Sequence, residues 1–270
     1  MALVPFDDRD GSIWINGEMV PWRDATLHTL SHGLHYASTV FEGERVYSGV
    51  IFKGREHTER LRNSCKIMDF ELPLGDDELD AAKMAVVEAN GIVDGYVRAF
   101  AWRGSEMMAI SAQHTTTHVA IAAWEWPSYF DPEVKMKGIT LDISDWKRPS
   151  PESAPVNAKA AGLYMICTLS KHAAEKKGFQ DALMLDYRGF IAEATGANVF
   201  FVDGEGTIHT PIADCFLDGI TRRTVIALAE SMQIKVVQRH LTLDDLSDMT
   251  ECFLTGTAAE VTPVSQVGDH

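Results

Sequence analysis

Apolar and polar residues alternate in short stretches from the start of the chain. Ser12-Ile13-Trp14-Ile15 and Glu18-Met19-Val20 flank Asn16-Gly17, a pair that supplies the positive φ angles of a tight turn, so a β-hairpin is predicted. Residues 40–47 are rich in strand formers. Residues 55–68 change to a helical pattern, with Leu61 and Cys65 on one face among charged neighbours. The clearest helix is 76–90, where Leu79, Ala82 and Val86 recur at helical spacing, acids crowd the first turn and Gly91 can close the end. Residues 96–102 and 119–124 predict strands, which makes the first half α+β.

Prolines and polar residues then interrupt the pattern from Trp126-Pro127 to Val134-Lys135. A linker at 128–136 is expected there, dividing a small domain (1–127) from a larger one (137–270). The second half predicts a strand at 139–143, a Pro- and Ser-rich loop at 148–155 and a helix over 160–176. Strands at 182–186 and 198–202, a helix over 221–232 and a strand at 234–238 follow.

Charge narrows the partners. The 270 residues carry a net charge of −15, with 46% hydrophobic and 23% charged residues. That balance is ordinary for a globular protein, and the acidity argues against nucleic acid, which needs basic surface. Anionic substrates must then be met by local basic residues. No apolar run reaches membrane-spanning length, and the first residues have neither a basic stretch nor a signal-like apolar core, so a cytoplasmic location is expected. The four cysteines lie far apart without a CxxC pair, which favours reduced thiols over a disulfide scaffold or zinc site.

Several small patterns carry no chemistry. Gly204-Glu205-Gly206 lacks the third glycine of a dinucleotide loop and reads as a turn. His114 and His118 bracket three threonines at a strand edge, where their spacing does not bring them together as metal ligands. His32 and His35 can share a helix face in a packing or hydrogen-bonding role. Lys159 follows Ala154-Pro155-Val156-Asn157-Ala158 and precedes Ala160-Ala161-Gly162, so a long amine could project from a helix start with little steric cover. Taken alone, that segment is better read as a surface lysine.

Read together, the segments say more. Asn157-Ala158-Lys159-Ala160-Ala161-Gly162-Leu163-Tyr164, then 189–200 (Gly-Phe-Ile-Ala-Glu-Ala-Thr-Gly-Ala-Asn-Val-Phe), Leu217-Asp218-Gly219-Ile220-Thr221-Arg222 and Thr255-Gly256-Thr257-Ala258-Ala259-Glu260-Val261 stand in this order. They resemble the signatures of the class IV (fold-type IV) pyridoxal-phosphate (PLP) aminotransferases. Ser31-His32-Gly33-Leu34-His35-Tyr36 and 40–47 extend the resemblance to nearly the whole chain. It implies an α+β, two-domain fold, with a smaller N-terminal α/β domain and a larger C-terminal domain built on a β-barrel-like sheet with helices.

The resemblance also implies roles. Lys159 would join covalently to PLP and then move the proton at the substrate α-carbon. Glu193 would face the pyridine nitrogen, where a carboxylate favours the protonated ring. Tyr164 would reach the phenolic oxygen. Gly219, Ile220 and Thr221 at a predicted helix start would hold the phosphate with Gly256, Thr257 and Arg60. A plain helix cap is an equally good local reading of Asp218 to Thr221.

Tyr96-Val97-Arg98 and the Phe41, Gly43 and Arg45 stretch resemble the branched-chain amino acid type. By that resemblance Tyr36, Phe41, Trp126, Tyr129 and Tyr164 wall an apolar pocket that favours Leu, Ile or Val by roughly 0.8 kcal/mol per methylene buried. Arg98, with Arg45, would meet the distal carboxylate of glutamate; Tyr96 and the backbone at Thr257 and Ala258 would bind the α-carboxylate. The implied reaction is ping-pong transamination between branched-chain L-amino acids and 2-oxoglutarate in at least a dimer. A D-amino acid or (R)-amine transaminase, and a PLP-binding protein without turnover, are the alternatives. Asp218 stands where the family has proline, Leu163 where it has asparagine, and the 103–108 loop departs from the usual glycine-rich form. Family members usually continue for a strand and a helix beyond the position of His270.

Overall fold

A computed structural model describes residues 4–126 and 132–270. The chain divides into two compact units, Met1–Pro127 with Ala158–Gly162, and Ser128–Asn157 with Leu163–His270. From the sequence, Ala158–Gly162 is expected in the second domain, whereas its backbone is hydrogen-bonded within the first unit. Among the described residues no helix is long and apolar enough to cross a membrane.

The first unit runs β1 (Ser12–Ile15), β2 (Glu18–Pro21), α1 (His32–Tyr36), β3 (Thr39–Phe41), β4 (Glu44–Tyr47), β5 (Val50–Ile51), α2 (Gly54–Ile67), α3 (Asp76–Ala89), β6 (Gly95–Arg103) and β7 (Thr117–Glu125). Its antiparallel sheet has the order β2-β1-β7-β6-β4-β5, with β3 also paired to β6. The β1–β2 turn is the predicted one: Asn16 and Gly17 have φ of 50° and 103°. The stretch at 40–47 is two strands rather than one. It breaks at Glu42-Gly43, where a Cβ on Gly43 would lie 1.7 Å from Tyr96 Oη, so only glycine lets the Tyr96 ring pass beneath.

The second unit contains α4 (Pro132–Lys137), β8 (Ile139–Ile143), α5 (Tyr164–Lys176), β9 (Asp181–Leu185), β10 (Ile191–Ala194), β11 (Asn198–Asp203), β12 (Ile208–Thr210), α6 (Ile220–Ser231), β13 (Val236–Gln238), β14 (Met249–Gly256) and β15 (Glu260–Val267). Its sheet runs β10-β9-β8-β15-β14-β11-β12-β13, and a further β10–β11 pairing closes the first six strands into a barrel. Alternate residues point inward. Ile139, Leu141, Leu183, Val199, Phe201 and Leu254 form one buried cluster.

Behind β4 the first unit buries a lysine. Lys83 of α3 is 1% exposed and donates to Glu44 Oε2 (2.9 Å), Gly54 O (2.9 Å) and Thr58 Oγ1 (2.7 Å), with Asp80 Oδ1 at 3.2 Å. Burial pushes the Glu44 carboxyl up to about 8, against the lowering pull of Lys83. The folded chain therefore keeps this proton over a range where the unfolded chain has released it, from about 4.5 to about 8. The stability that Glu44 contributes is complete below that range and lost as pH rises through it. Lys83→Met strands the acceptors and is expected to cost roughly 3–5 kcal/mol in urea unfolding. Without Lys83 the Glu44 carboxyl titrates higher still, so the deficit should be larger at pH ~9 than at pH ~7; an equal deficit at both would contradict this account.

Candidate active site

The backbone of Lys159 is held from two sides within the first unit. Phe41 N–H donates to the Lys159 carbonyl at 3.1 Å, and the Lys159 N–H donates to Ser64 Oγ of α2 at 3.0 Å. Val40 and Ala160 pair as an antiparallel bridge. The lysine thus lies on an extended segment against β3, not on the helix start expected at 160, and α5 begins only at Tyr164 after a 3-10 turn, Ala161–Leu163. Extended backbone sends alternate side chains to opposite faces. Ala158 and Ala160 are buried on one, while the Lys159 amine takes the other and stands 4.9 Å from the centre of the Phe41 ring.

Burial and the neighbouring Arg60 charge bring the Lys159 amine down to about 8, with Glu42 and Tyr96 opposing the shift and Arg98 adding to it. An amine so placed is neutral and nucleophilic in roughly a tenth of molecules at pH ~7, far more than an ordinary lysine. Around it, the Arg98 guanidinium lies 4.6 Å from the Phe41 ring centre and 5.6 Å from that of Tyr96. Arg98 Nε is buried with no hydrogen-bond partner among the described residues. Tyr96 packs on Trp126 at 4.7 Å and on Trp124 at 5.3 Å, and Arg45, its partner across β4 and β6, donates from Nη1 to the Trp126 carbonyl at 2.7 Å.

Arg60 is bound side-on to Glu42, Nε to Oε1 at 2.6 Å and Nη2 to Oε2 at 2.7 Å. Tyr36 is apart from this cluster: it is exposed and stacks on His32. His32 hydrogen-bonds Ser38 Oγ and Ala109 O, and His35 bonds Thr29 O, the hydrogen-bonding role expected of them. His118 bonds Asn16 and stacks on Trp102. Tyr129 lies outside the described residues.

The second unit gathers the other candidates. Glu193 of β10 faces Asn198 of β11, which faces Thr255 of β14, a row across three paired strands. Asn198 Nδ2 donates to Glu193 Oε2 (3.3 Å) and to Leu217 O (3.1 Å), tying the carboxylate to the turn before α6. Gly219 caps α6 with no side-chain hydrogen bond over the helix end, and a Cβ there would lie 2.2 Å from Asn198 Oδ1. The first amides of α6, at Ile220 and Thr221, suit an anion. Gly256, Thr257 and Ala258 follow Thr255, whose Oγ1 is buried without a partner among the described residues.

Sequence reasoning missed Arg148. It is buried in the Pro/Ser-rich loop, pairs with Glu193 Oε1 at 3.3 Å and donates from Nη1 to Leu163 O and Cys167 Sγ, each at 3.5 Å. It thereby links the Glu193 carboxylate to the start of α5, where Tyr164 lies half-buried. Nothing in its local sequence marks it. Glu42, His57 and Ser64 were also missed, although His57, Arg60 and Ser64 share the i, i+3, i+7 spacing of one helix face. Asp186, Asp214 and Cys215 gather metal-type donors, but Arg188 bridges both carboxylates, which makes the group an ion-pair network.

The class IV aminotransferase pattern matches residues 39–267. The chain belongs to the class IV aminotransferase family. A probable branched-chain-amino-acid aminotransferase of Rickettsia conorii is 42% identical over 267 residues, 99% of this chain and 90% of that protein. The Escherichia coli branched-chain amino acid aminotransferase has a similar structure, with a TM-score of 0.93 at 38% identity over 96% of this chain and 87% of that one. A T.th. branched-chain amino acid aminotransferase, complexed with N-(5'-phosphopyridoxyl)-L-glutamate, gives 0.90 at 39% over 96% and 86%. The fold-type IV architecture expected from the sequence is therefore established.

The cofactor of this aminotransferase is PLP, and each unit, taken by itself, carries donors of the kinds it needs. An aldehyde needs an amine whose neutral form is accessible, a phosphate needs unshared N–H groups such as those opening α6, and a pyridine nitrogen needs a carboxylate. The Asp218 departure does not spoil this. Its carboxylate pairs with the buried Arg222 at 2.7 Å and with Arg223 at 3.5 Å, so its charge is balanced beside the helix end. In protein stripped of PLP, the reaction of Lys159 with pyridoxal should rise with pH through about 8. A midpoint near 10.4, the ordinary lysine value, would refute the assigned environment.

Proposed function

We propose that this aminotransferase moves the amino group between branched-chain L-amino acids (Leu, Ile, Val) and 2-oxoglutarate, taking the two substrates in turn. The observation that carries this reading is the Lys159 amine, poised over Phe41 in one cluster with the Tyr96 and Trp126 rings and an Arg98 Nε that lacks a partner among the described residues. Relatives named branched-chain aminotransferases, 38–42% identical over most of the chain, support it.

PLP, when bound, withdraws electrons from the substrate α-carbon. Lys159 would hold the cofactor at its aldehyde carbon, the aldehyde oxygen leaving as water, and would move the proton at the substrate α-carbon, for which an amine lowered to about 8 is suited. Glu193, oriented by Asn198 and Arg148, would keep the pyridine nitrogen protonated, and Tyr164 would donate to the phenolic oxygen. Arg60, the amides at Gly219, Ile220 and Thr221, and Gly256 and Thr257 would hold its phosphate.

Tyr96 and the backbone at Thr257 and Ala258 receive the α-carboxylate. Phe41 and Trp126 face the branched side chain, with Gly43 giving Tyr96 its room. Arg98, with Arg45, receives the distal carboxylate of glutamate, a match that a planar fork of N–H donors makes well. We further assign this enzyme to the cytoplasm, as at least a dimer.

L-leucine should abolish the visible band of the PLP-loaded enzyme, 2-oxoglutarate should restore it, and D-alanine and (R)-amines should leave it unchanged; a response to D-alanine without one to L-leucine would replace this reading with the D-specific one. Arg98→Ala should raise KM for 2-oxoglutarate by roughly tenfold or more, with a much smaller change for leucine. Equal losses for both substrates would remove Arg98 from the distal carboxylate.

A further inference from the structure

The β3–β4 break places one carboxylate behind the amine-bearing cluster. Glu42 is fully buried, its own N–H is fixed to Ala99 O of β6 at 2.7 Å, and both of its oxygens are engaged. Oε1 accepts from Arg60 Nε at 2.6 Å, and Oε2 accepts from Arg60 Nη2 at 2.7 Å and from His57 Nδ1 at 2.6 Å. Burial pushes the Glu42 carboxyl up, but Arg60 and His57 outweigh it and hold the group well below the usual carboxylate range. Burial lowers His57, despite Glu42, so near neutral pH its ring gives Glu42 a neutral N–H donor and Arg60 supplies the balancing charge.

A guanidinium is planar and carries five donors in fixed directions. Two short bonds along one edge therefore fix the plane and direction of the whole group. Arg60 otherwise sits at the end of a long, many-rotamer side chain on α2. We propose that Glu42 is the positioning residue that aims Arg60 at the cofactor phosphate, with His57 as the clamp that stops the carboxylate from turning. The inference rests on the phosphate role proposed above for Arg60. Neither Glu42 nor His57 needs to touch the cofactor.

The test is the phosphate preference of the full chain stripped of PLP. PLP and pyridoxal differ by the phosphate alone, so the ratio of their affinities, read by absorbance, isolates that contact, whereas a general loosening of the fold weakens both. Glu42→Gln keeps the shape but removes the charge and one acceptor of the fork. It should lower the ratio by roughly tenfold, with pyridoxal affinity changed by less than about twofold.

Arg60→Gln should lower the ratio at least as far, and the double variant should match Arg60→Gln alone, because Glu42 acts through Arg60. Inorganic phosphate should compete with PLP more weakly in each variant than in the parent. If Arg60→Gln lowers the ratio and Glu42→Gln does not, or if the two effects add, the positioning role is overturned while the Arg60 reading stands. If Arg60→Gln leaves the ratio intact, that reading itself fails. Should Glu42→Gln not fold, His57→Gln reads the same clamp: a reduced ratio sustains the proposal and an unchanged one ends it.

Discussion

The extended pairing of the Lys159 segment with β3 and α2 sets the geometry of the first unit's chemistry. A lysine at a helix start could swing its amine through many rotamers into water. Here Phe41 N–H and Ser64 Oγ fix its backbone on both sides, and the flanking alanines are small enough to bury against the unit while the amine points the other way. The same pairing puts Phe41 under the amine. Because Phe41 ends β3, the next two residues must turn, which brings Glu42 inward and leaves at Gly43 the space that Tyr96 fills. One strand-edge contact thus orders the amine, an aromatic wall and a buried carboxylate.

Charge is arranged in the same region with little slack. Two buried carboxylates flank Gly43 and behave oppositely. Glu42 has an arginine fork and a histidine N–H, and stays ionised; Glu44 has one lysine shared with three other acceptors, and burial dominates. The difference lies in the number and geometry of donors, since both groups are equally removed from water. It matters for Lys159, because an ionised Glu42 beside Arg60 offsets much of the arginine's repulsion of the amine. Burial then remains the main cause of the lowered value.

What could be read from the sequence follows from how local each interaction is. The Asn16-Gly17 turn, α2 and α3 are specified by neighbours within a few residues, and their predicted limits lie within a residue or two of the observed ones. The barrel was harder. β14 has no clean alternation, and β15 carries Pro263, which argues against a strand with neighbours on both sides. Pro263 is tolerated because it pairs with Phe253 of β14, while pairing to β8 begins only at Val264. The candidate site showed the same split. Lys159, Glu193 and Thr257 lie in recognisable segments, whereas Glu42, His57, Ser64 and Arg148 acquire meaning only through partners 15 to 95 residues away or on another element.

The Asp218 departure shows how a substitution beside an anion site can be absorbed. A proline at that position would stiffen the turn and carry no charge; aspartate does neither, and places a carboxylate at the end of α6 where a phosphate would also be drawn. Arg222, one turn into the helix, is buried and donates to Asp218, to Pro211 O, to Gln238 Oε1 and to Thr210 Oγ1, so its direction is set by four acceptors. That fixed cation both orders the turn and cancels the charge of the aspartate. Asn198 closes the other side, holding Leu217 O with the same amide that holds Glu193. The turn is therefore determined from both flanks by side chains of its own unit, and the rigidity that proline would supply through its ring is supplied here through hydrogen bonds.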